Sequence, residues 1–179
     1  KDFDLKVKEE LSELYVASCG YLSPTIDPFQ KPIEDQYHLS EKTAYEFLRH
    51  NLPIVFITKQ GDNVPIKLLD DMAGHPHCFC EFTILSYDDE NRKIFSPNGA
   101  TVEQQFKAVR KAADRGLYVV VRMDPLFPGI TDDEDSIREL VIRAKQEGAK
   151  HLIFSICDID AEHLSKIFNL IREFFPDAY

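Results

Sequence analysis

Short, dense apolar runs alternate with amphipathic stretches along this chain, the pattern that successive βα units leave in a sequence. The first run is Leu14-Tyr15-Val16-Ala17-Ser18, followed by a turn-rich segment from Gly20 to His38 that contains Pro24, Pro28 and Pro32. A loop of that length is more than a connector. Ser40 stands where an N-cap belongs, and Ala44, Phe47 and Leu48 share a helical face that ends before Pro53. Ile54 to Lys59 reads as the second strand. After Gly61 a short helix carries Ile66, Leu68 and Leu69, and Gly74 closes it.

Phe79 to Leu85 forms the third strand in this reading, with Asp88-Asp89-Glu90 and Ser96-Pro97-Asn98-Gly99 as loop. Thr101 caps a helix with the stripe Val102, Phe106, Val109 and Ala113, which Gly116 stops. Leu117 to Val121 is apolar without alternation, as expected of a parallel strand covered on both faces, and it runs into Arg122-Met123-Asp124-Pro125. Thr131-Asp132-Asp133-Glu134 matches a capping box, ahead of a face made by Ile137, Leu140, Val141 and Ala144 and a stop at Gly148. Leu152 to Ile156 is the fifth strand. A last helix bears Leu164, Ile167, Phe168, Ile171 and Phe174.

Five consecutive βα units beginning with a strand predict an α/β fold: an open doubly wound sheet or a (β/α) barrel, complete or partial. Both place their chemistry at the carboxyl ends of the strands. Composition narrows the class further. The 179 residues are 44% apolar, enough for one domain with a real core over residues 1–179, and disorder is excluded. No apolar run approaches the roughly 20 residues that span a bilayer, so no membrane partner is expected. The start at Lys1, without Met or a signal core, suggests sequence ahead of it and a cytoplasmic protein. Four Cys, at positions 19, 78, 80 and 157, do not form a secreted disulfide framework. With 21 Lys+Arg against 31 Asp+Glu, a net charge of −10 gives no global support for a long nucleic-acid footprint.

The polar residues at the predicted strand ends are Ser18 with the loop residues Thr25 and Asp27; Thr58 and Lys59; Thr83 and Ser86; Arg122 and Asp124; and Cys157 and Asp158. Any one of them could simply meet solvent. Together they line a rim suited to a zwitterionic ligand with a sugar attached. They supply no nucleophile with its base, and the chain has no Walker-type or dinucleotide glycine loop. His75-Pro76-His77-Cys78-Phe79-Cys80 offers two His and two Cys, but the spacing is too tight for the usual zinc patterns and the segment enters a strand at its amino end. Packed thiols are the better reading there. The Asp132 to Asp135 run reads as a helix start rather than a metal site.

Leu14 to Ser18, the loop Thr25-Ile26-Asp27-Pro28-Phe29-Gln30-Lys31-Pro32-Ile33-Glu34, Leu39-Ser40, Pro53 to Lys59, and Met123-Asp124-Pro125-Leu126-Phe127-Pro128-Gly129-Ile130-Thr131 occur in an order that resembles the spore photoproduct lyase-like branch of the radical S-adenosylmethionine (SAM) enzymes. The resemblance covers about residues 13–160. It implies a partial (β/α) TIM-type barrel, a [4Fe–4S] cluster held by three Cys of a C-x-x-x-C-x-x-C loop, and cleavage of SAM to a 5′-deoxyadenosyl radical that abstracts a substrate hydrogen. By matching position it implies that Lys59 pairs with the SAM carboxylate and Ser18 or Asp27 approaches its amino group. Thr83 and Ser86 then lie by the ribose, with the Asp124-Pro125 backbone near adenine.

The chain departs from that pattern in places. The three-Cys loop is absent, Ser96-Pro97-Asn98 replaces Glu-Pro-Gly, Gln105 replaces an Arg, and an Arg-Asp pair before Leu68-Leu69 is missing. The expectation is therefore a barrel's second to sixth units, with the first βα unit missing and the cluster ligands supplied by a preceding segment or another chain. A nucleic-acid or nucleotide substrate is implied by the resemblance alone. The alternatives are a non-catalytic binding or assembly module built on the same barrel and, less favoured, a metal-dependent TIM-type hydrolase, which would require His75, His77 and the Asp residues to gather.

Overall fold

A computed structural model describes residues 2–15, 17–22, 25–157 and 161–178. In chain order the elements are α1 (Phe3–Glu13), β1 (Gly20–Leu22), α2 (Ile33–Tyr37), α3 (Leu39–Arg49), β2 (Ile54–Thr58), α4 (Ile66–Ala73), β3 (Phe79–Thr83), α5 (Asp89–Phe95), α6 (Val102–Ala113), β4 (Tyr118–Leu126), α7 (Glu134–Gln146), β5 (His151–Ile156) and α8 (Leu164–Phe174). The five strands form one sheet in the order β1-β2-β3-β4-β5, and every neighbouring pair is parallel. A doubly wound sheet reverses its strand order at a switch point. This one does not, and same-handed crossovers then carry the helices to one face. The fold is α/β, compatible with a partial (β/α) barrel.

Side-chain alternation shows which face that is. Ile54 and Phe56 of β2, Cys80 and Phe82 of β3, and Val119, Val121 and Met123 of β4 share one buried cluster with Ala44, Leu68, Leu69, Met72, Phe106, Val109, Leu140 and Ala144 from α3, α4, α6 and α7. The intervening residues Glu81, Thr83, Arg122 and Asp124 point to the other face. The sheet is thus apolar toward the helices and polar at the carboxyl ends of its inner face.

Several predicted boundaries move. The strand expected over Leu14 to Ser18 forms instead at Gly20–Leu22; Tyr15 is fully exposed and Leu14 largely so, and Val16 lies outside the described residues. Pairing begins at Gly20 because Phe47 of α3 packs directly over it: a Cβ there would fall 2.7 Å from the Phe47 ring. The chain opens with helix α1 rather than a strand. Its weakly segregated apolar positions leave little periodic signal, and only Leu11 is buried.

Three caps differ from expectation. His38, not Ser40, is the N-cap of α3. The Glu34 carboxylate accepts from the Ser40 and Glu41 N–H groups at 3.1 and 2.9 Å, so a side chain from α2 caps the helix. Asp88-Asp89-Glu90, expected as loop, starts α5, with Asp88 accepting from the Glu90 N–H. For α7 the N-cap is Asp133, while buried Thr131 accepts from the Phe127 N–H at 2.8 Å. Thr101 caps α6 as expected, and Gln104 completes a capping box with it. Among the described residues, no helix is long and apolar enough to cross a membrane.

Candidate functional site

At the carboxyl ends of β2, β3 and β4 lies a cleft of about 330 Å³, lined by Thr25, Asp27, Thr58, Lys59, Thr83, Arg122, Asp124 and Pro125 among others. That volume is in the range of small-molecule sites. Five of the seven residues predicted for cofactor binding, Asp27, Lys59, Thr83, Asp124 and Pro125, meet there.

The other two do not. Ser18 is exposed and precedes β1, so it sits at that strand's amino end, opposite the cleft. The expected strand placed it at a carboxyl end; the displacement of β1 down the chain reverses that. Ser86 lies past the end of β3, buried, with its hydroxyl accepting from the Asp88 N–H at 3.1 Å. It shapes the turn into α5 instead of facing the cleft. Asp158, the last residue of the predicted rim, falls outside the described residues.

The Thr25–Glu34 loop is fixed at two points. Phe29 is completely buried, edge-on to Phe56 at 5.1 Å, and Phe56 meets Phe82 the same way at 6.0 Å. Burying such a ring contributes about 1.5–3 kcal/mol. Two residues earlier, Asp27 accepts from Phe29 N–H at 3.0 Å, from Thr58 Oγ1 at 2.9 Å and from Lys59 N–H at 2.6 Å. Its carboxylate is thus a splint between the loop and the end of β2. The resemblance implies contact with an amino group of SAM, and the structure gives Asp27 these neighbours first.

Lys59 is held by its backbone and left open at its tip. Its N–H goes to Asp27 and its carbonyl accepts from Ala100 N–H at 2.8 Å. Among the described residues, Nζ has no hydrogen bond or ion pair. Burial pushes its pKa down, opposed by the fields of Asp27 and Asp124 and reinforced by Arg122. An ammonium in a half-buried cleft without a partner is a costly arrangement unless something anionic meets it.

Arg122, by contrast, is satisfied. Its guanidinium donates to Glu81 at 2.6 Å and to Asp124, and Ser155 Oγ donates to the other Asp124 oxygen. Burial works against the charged form of Asp124, but these two hydrogen bonds and the Arg122 charge hold its carboxyl below the usual range. Glu81 is nearly inaccessible, and its partner is what makes that tolerable. Glu81 and Ser155 did not figure among the predicted site residues. The signal for Glu81 was a single carboxylate inside the apolar run Phe79-Cys80-Glu81-Phe82; for Ser155 there was none beyond its strand position.

Beneath the cleft, Gln105 of α6 is buried with every polar atom engaged. Nε2 donates to the Thr83 carbonyl at 2.9 Å and the Thr58 carbonyl at 3.1 Å, and Oε1 accepts from the Gly61 N–H at 2.8 Å. At the other end of β3, Cys78 accepts from the Ile54 N–H at 3.2 Å, and burial raises the thiol pKa of both Cys78 and Cys80. Both behave as packed thiols. No group of three or more His, Cys, Asp or Glu converges as a metal site among the described residues; Cys19 and Cys78 precede the amino ends of β1 and β3, Cys80 lies within β3, and Cys157 follows the carboxyl end of β5. The four cysteines therefore do not fit a [4Fe–4S] cluster, which takes convergent thiolates.

No protein-family model matches the chain. A radical SAM Nalpha-GlyT isomerase of Pseudomonas phage M6 is 28% identical to it over 148 residues, which is 83% of this chain and 30% of that relative. The chain thus spans less than a third of the length of the curated relative it matches. The likeness supports a relation to the radical SAM superfamily at large, a superfamily that uses SAM and a [4Fe–4S] cluster, without selecting a branch within it.

Proposed function

We propose that this chain forms the SAM-holding part of a radical SAM enzyme, with Lys59 gripping the SAM carboxylate in the cleft above β2, β3 and β4. The observation that carries the reading is the half-buried ammonium of Lys59, without a hydrogen bond or ion pair among the described residues, beside Asp27, Arg122 and Asp124, whose charged groups are engaged by their neighbours. A charge-assisted bond to a carboxylate is what such a group lacks. Thr83 and Asp124 then supply oxygen acceptors for hydroxyl and amine groups, and Pro125 an apolar wall.

The charge balance favours this ligand over a nucleotide phosphate. Lys59 and Arg122 are matched by Asp27 and Asp124 on the cleft lining, and Arg122 is also bound to Glu81 behind it, so no excess of cations awaits a polyphosphate. SAM, a zwitterion with an added sulfonium, is cationic overall and needs only one cation, for its carboxylate. When bound, SAM supplies a 5′-deoxyadenosyl group for hydrogen abstraction. The described residues of this chain position that group and do not hold the cluster.

Within the superfamily, the loop Thr25 to Glu34 and the turn Asp124 to Thr131 favour the spore photoproduct lyase-like branch, and with it a nucleic-acid-derived substrate. The isomerase name of the phage relative favours a rearrangement as the net reaction. The test is anaerobic loading of the complete polypeptide with iron and sulfide, then incubation with SAM and reductant. Formation of 5′-deoxyadenosine is expected. Cluster absorbance without deoxyadenosine overturns the enzyme reading, and retained SAM binding in that case favours the non-catalytic module, which the scatter of the cysteines among the described residues supports.

A further inference from the structure

Lys59 and Thr83 leave two neighbouring strands at the same level of the sheet, and nothing in β-pairing alone fixes how far their tips diverge, because the paired register of β2 and β3 ends at Thr58 and Phe82. The bond that spans the gap beyond that point comes from a helix. Gln105 Nε2 donates simultaneously to the Thr58 and Thr83 carbonyls, one on each strand. Its Oε1 holds the Gly61 N–H, just past Lys59. With Gln105 2% exposed, water does not compete for any of these bonds, so the fork acts in a low-dielectric setting where a lost bond is not replaced.

A second strut reaches the first residue of the same helix, α6. Buried Arg92 donates to the Ser96 and Gly99 carbonyls and binds Asp89 through two nitrogens. Asp89 in turn accepts from the Val102 N–H at 2.9 Å. The loop so held presents the Ala100 N–H to the Lys59 carbonyl. Lys59 is therefore gripped on its N–H by Asp27 and on its carbonyl by Ala100, with Gln105 holding the Thr58 carbonyl just before it and the Gly61 N–H two residues after it.

We infer that Gln105 is a positioning residue: by bridging the ends of β2 and β3 it sets the spacing of Lys59 and Thr83, and so the cleft's affinity for SAM, without touching the ligand. This rests on the SAM reading of the cleft. Gln105 lies under the strand ends rather than on the cleft wall, so its influence must pass through Lys59 and Thr83.

The experiment is a double-mutant cycle on SAM affinity by isothermal titration, with a thermal melt on each sample. Lys59→Met tests the site reading: about tenfold weaker binding is expected for loss of a charge-assisted bond. Gln105→Met keeps the volume and removes all three hydrogen bonds; about tenfold weaker binding is expected from misplacement of Lys59. In the Lys59→Met background the same change should cost less than about twofold, because its effect has lost its carrier. Gln105→Glu, which keeps an acceptor for Gly61 and can bridge the two carbonyls with at most one donor, and only when protonated, should also weaken binding and serves if Gln105→Met does not fold. Unchanged affinity in Lys59→Met removes the site reading. A clear effect of Lys59→Met with additive or absent effects of both Gln105 variants, or failure of both to fold, overturns the positioning role alone.

Discussion

Lys59 and Asp27 are joined by a backbone hydrogen bond rather than an ion pair: the Lys59 N–H donates to Asp27 Oδ2 at 2.6 Å, while the Lys59 ammonium extends into the cleft without an ion-pair partner among the described residues. The carboxylate nearest in sequence logic is spent on building the loop, and the cation is left for a ligand. Stability and binding therefore pull in opposite directions at this residue.

Lys59→Met is expected to raise unfolding free energy by about 0.5–2 kcal/mol, in the range of gains from relieving functional strain. Lys59 has a folded-state pKa below its ordinary 10.5 because burial disfavours the charge. Its cost to the fold is thus full at neutral pH and fades as pH rises from that lowered value toward 10.5. Denaturant melts of both proteins across pH 7–10.5 check this: the gap between them should narrow at the alkaline end.

Phe29→Ala should cost about 3–5 kcal/mol, the range for deleting a buried aromatic ring, since Phe29 is fully buried against Phe56. It should also free the Thr25–Glu34 loop, read as faster amide exchange at Phe29 and Lys59. A surface loop residue of the same type would show neither change.

The two contributions of this loop were unequally visible in the sequence. That Thr25 to Glu34 was more than a connector followed from its length and turn residues, and the gathering of Asp27, Lys59, Thr83, Asp124 and Pro125 followed from the βα rhythm, because strand ends in such folds share a rim. Ser18 and Ser86 were misplaced for a local reason: each was assigned from a strand boundary, and β1 begins at Gly20 while β3 stops at Thr83. Boundaries depend on packing partners such as Phe47 over Gly20, which periodicity does not encode. Gln105 stood out as a departure from a family pattern, and only its bonds to the Thr58 and Thr83 carbonyls show what a buried amide does there.

Asp124→Asn should lower stability at pH 7 by about 1–3 kcal/mol, the cost of weakening charged hydrogen bonds to Arg122 and Ser155. Because the folded-state pKa of Asp124 lies below its ordinary 3.8, its contribution is complete above about pH 4 and is lost as pH falls through the lowered value. Acid melts should therefore converge: the wild-type advantage present at pH 5 should shrink on descent toward pH 2.

The central claim is that the Lys59 ammonium recognises the SAM carboxylate, and the most direct measurement is a paired titration with SAM and with decarboxylated SAM, for the wild type and Lys59→Met. The wild type should bind SAM about tenfold more tightly than the decarboxylated compound, as a charge-assisted bond requires, and the variant should bind the two alike. Equal affinities in the wild type, or a preference that survives in Lys59→Met, would contradict it.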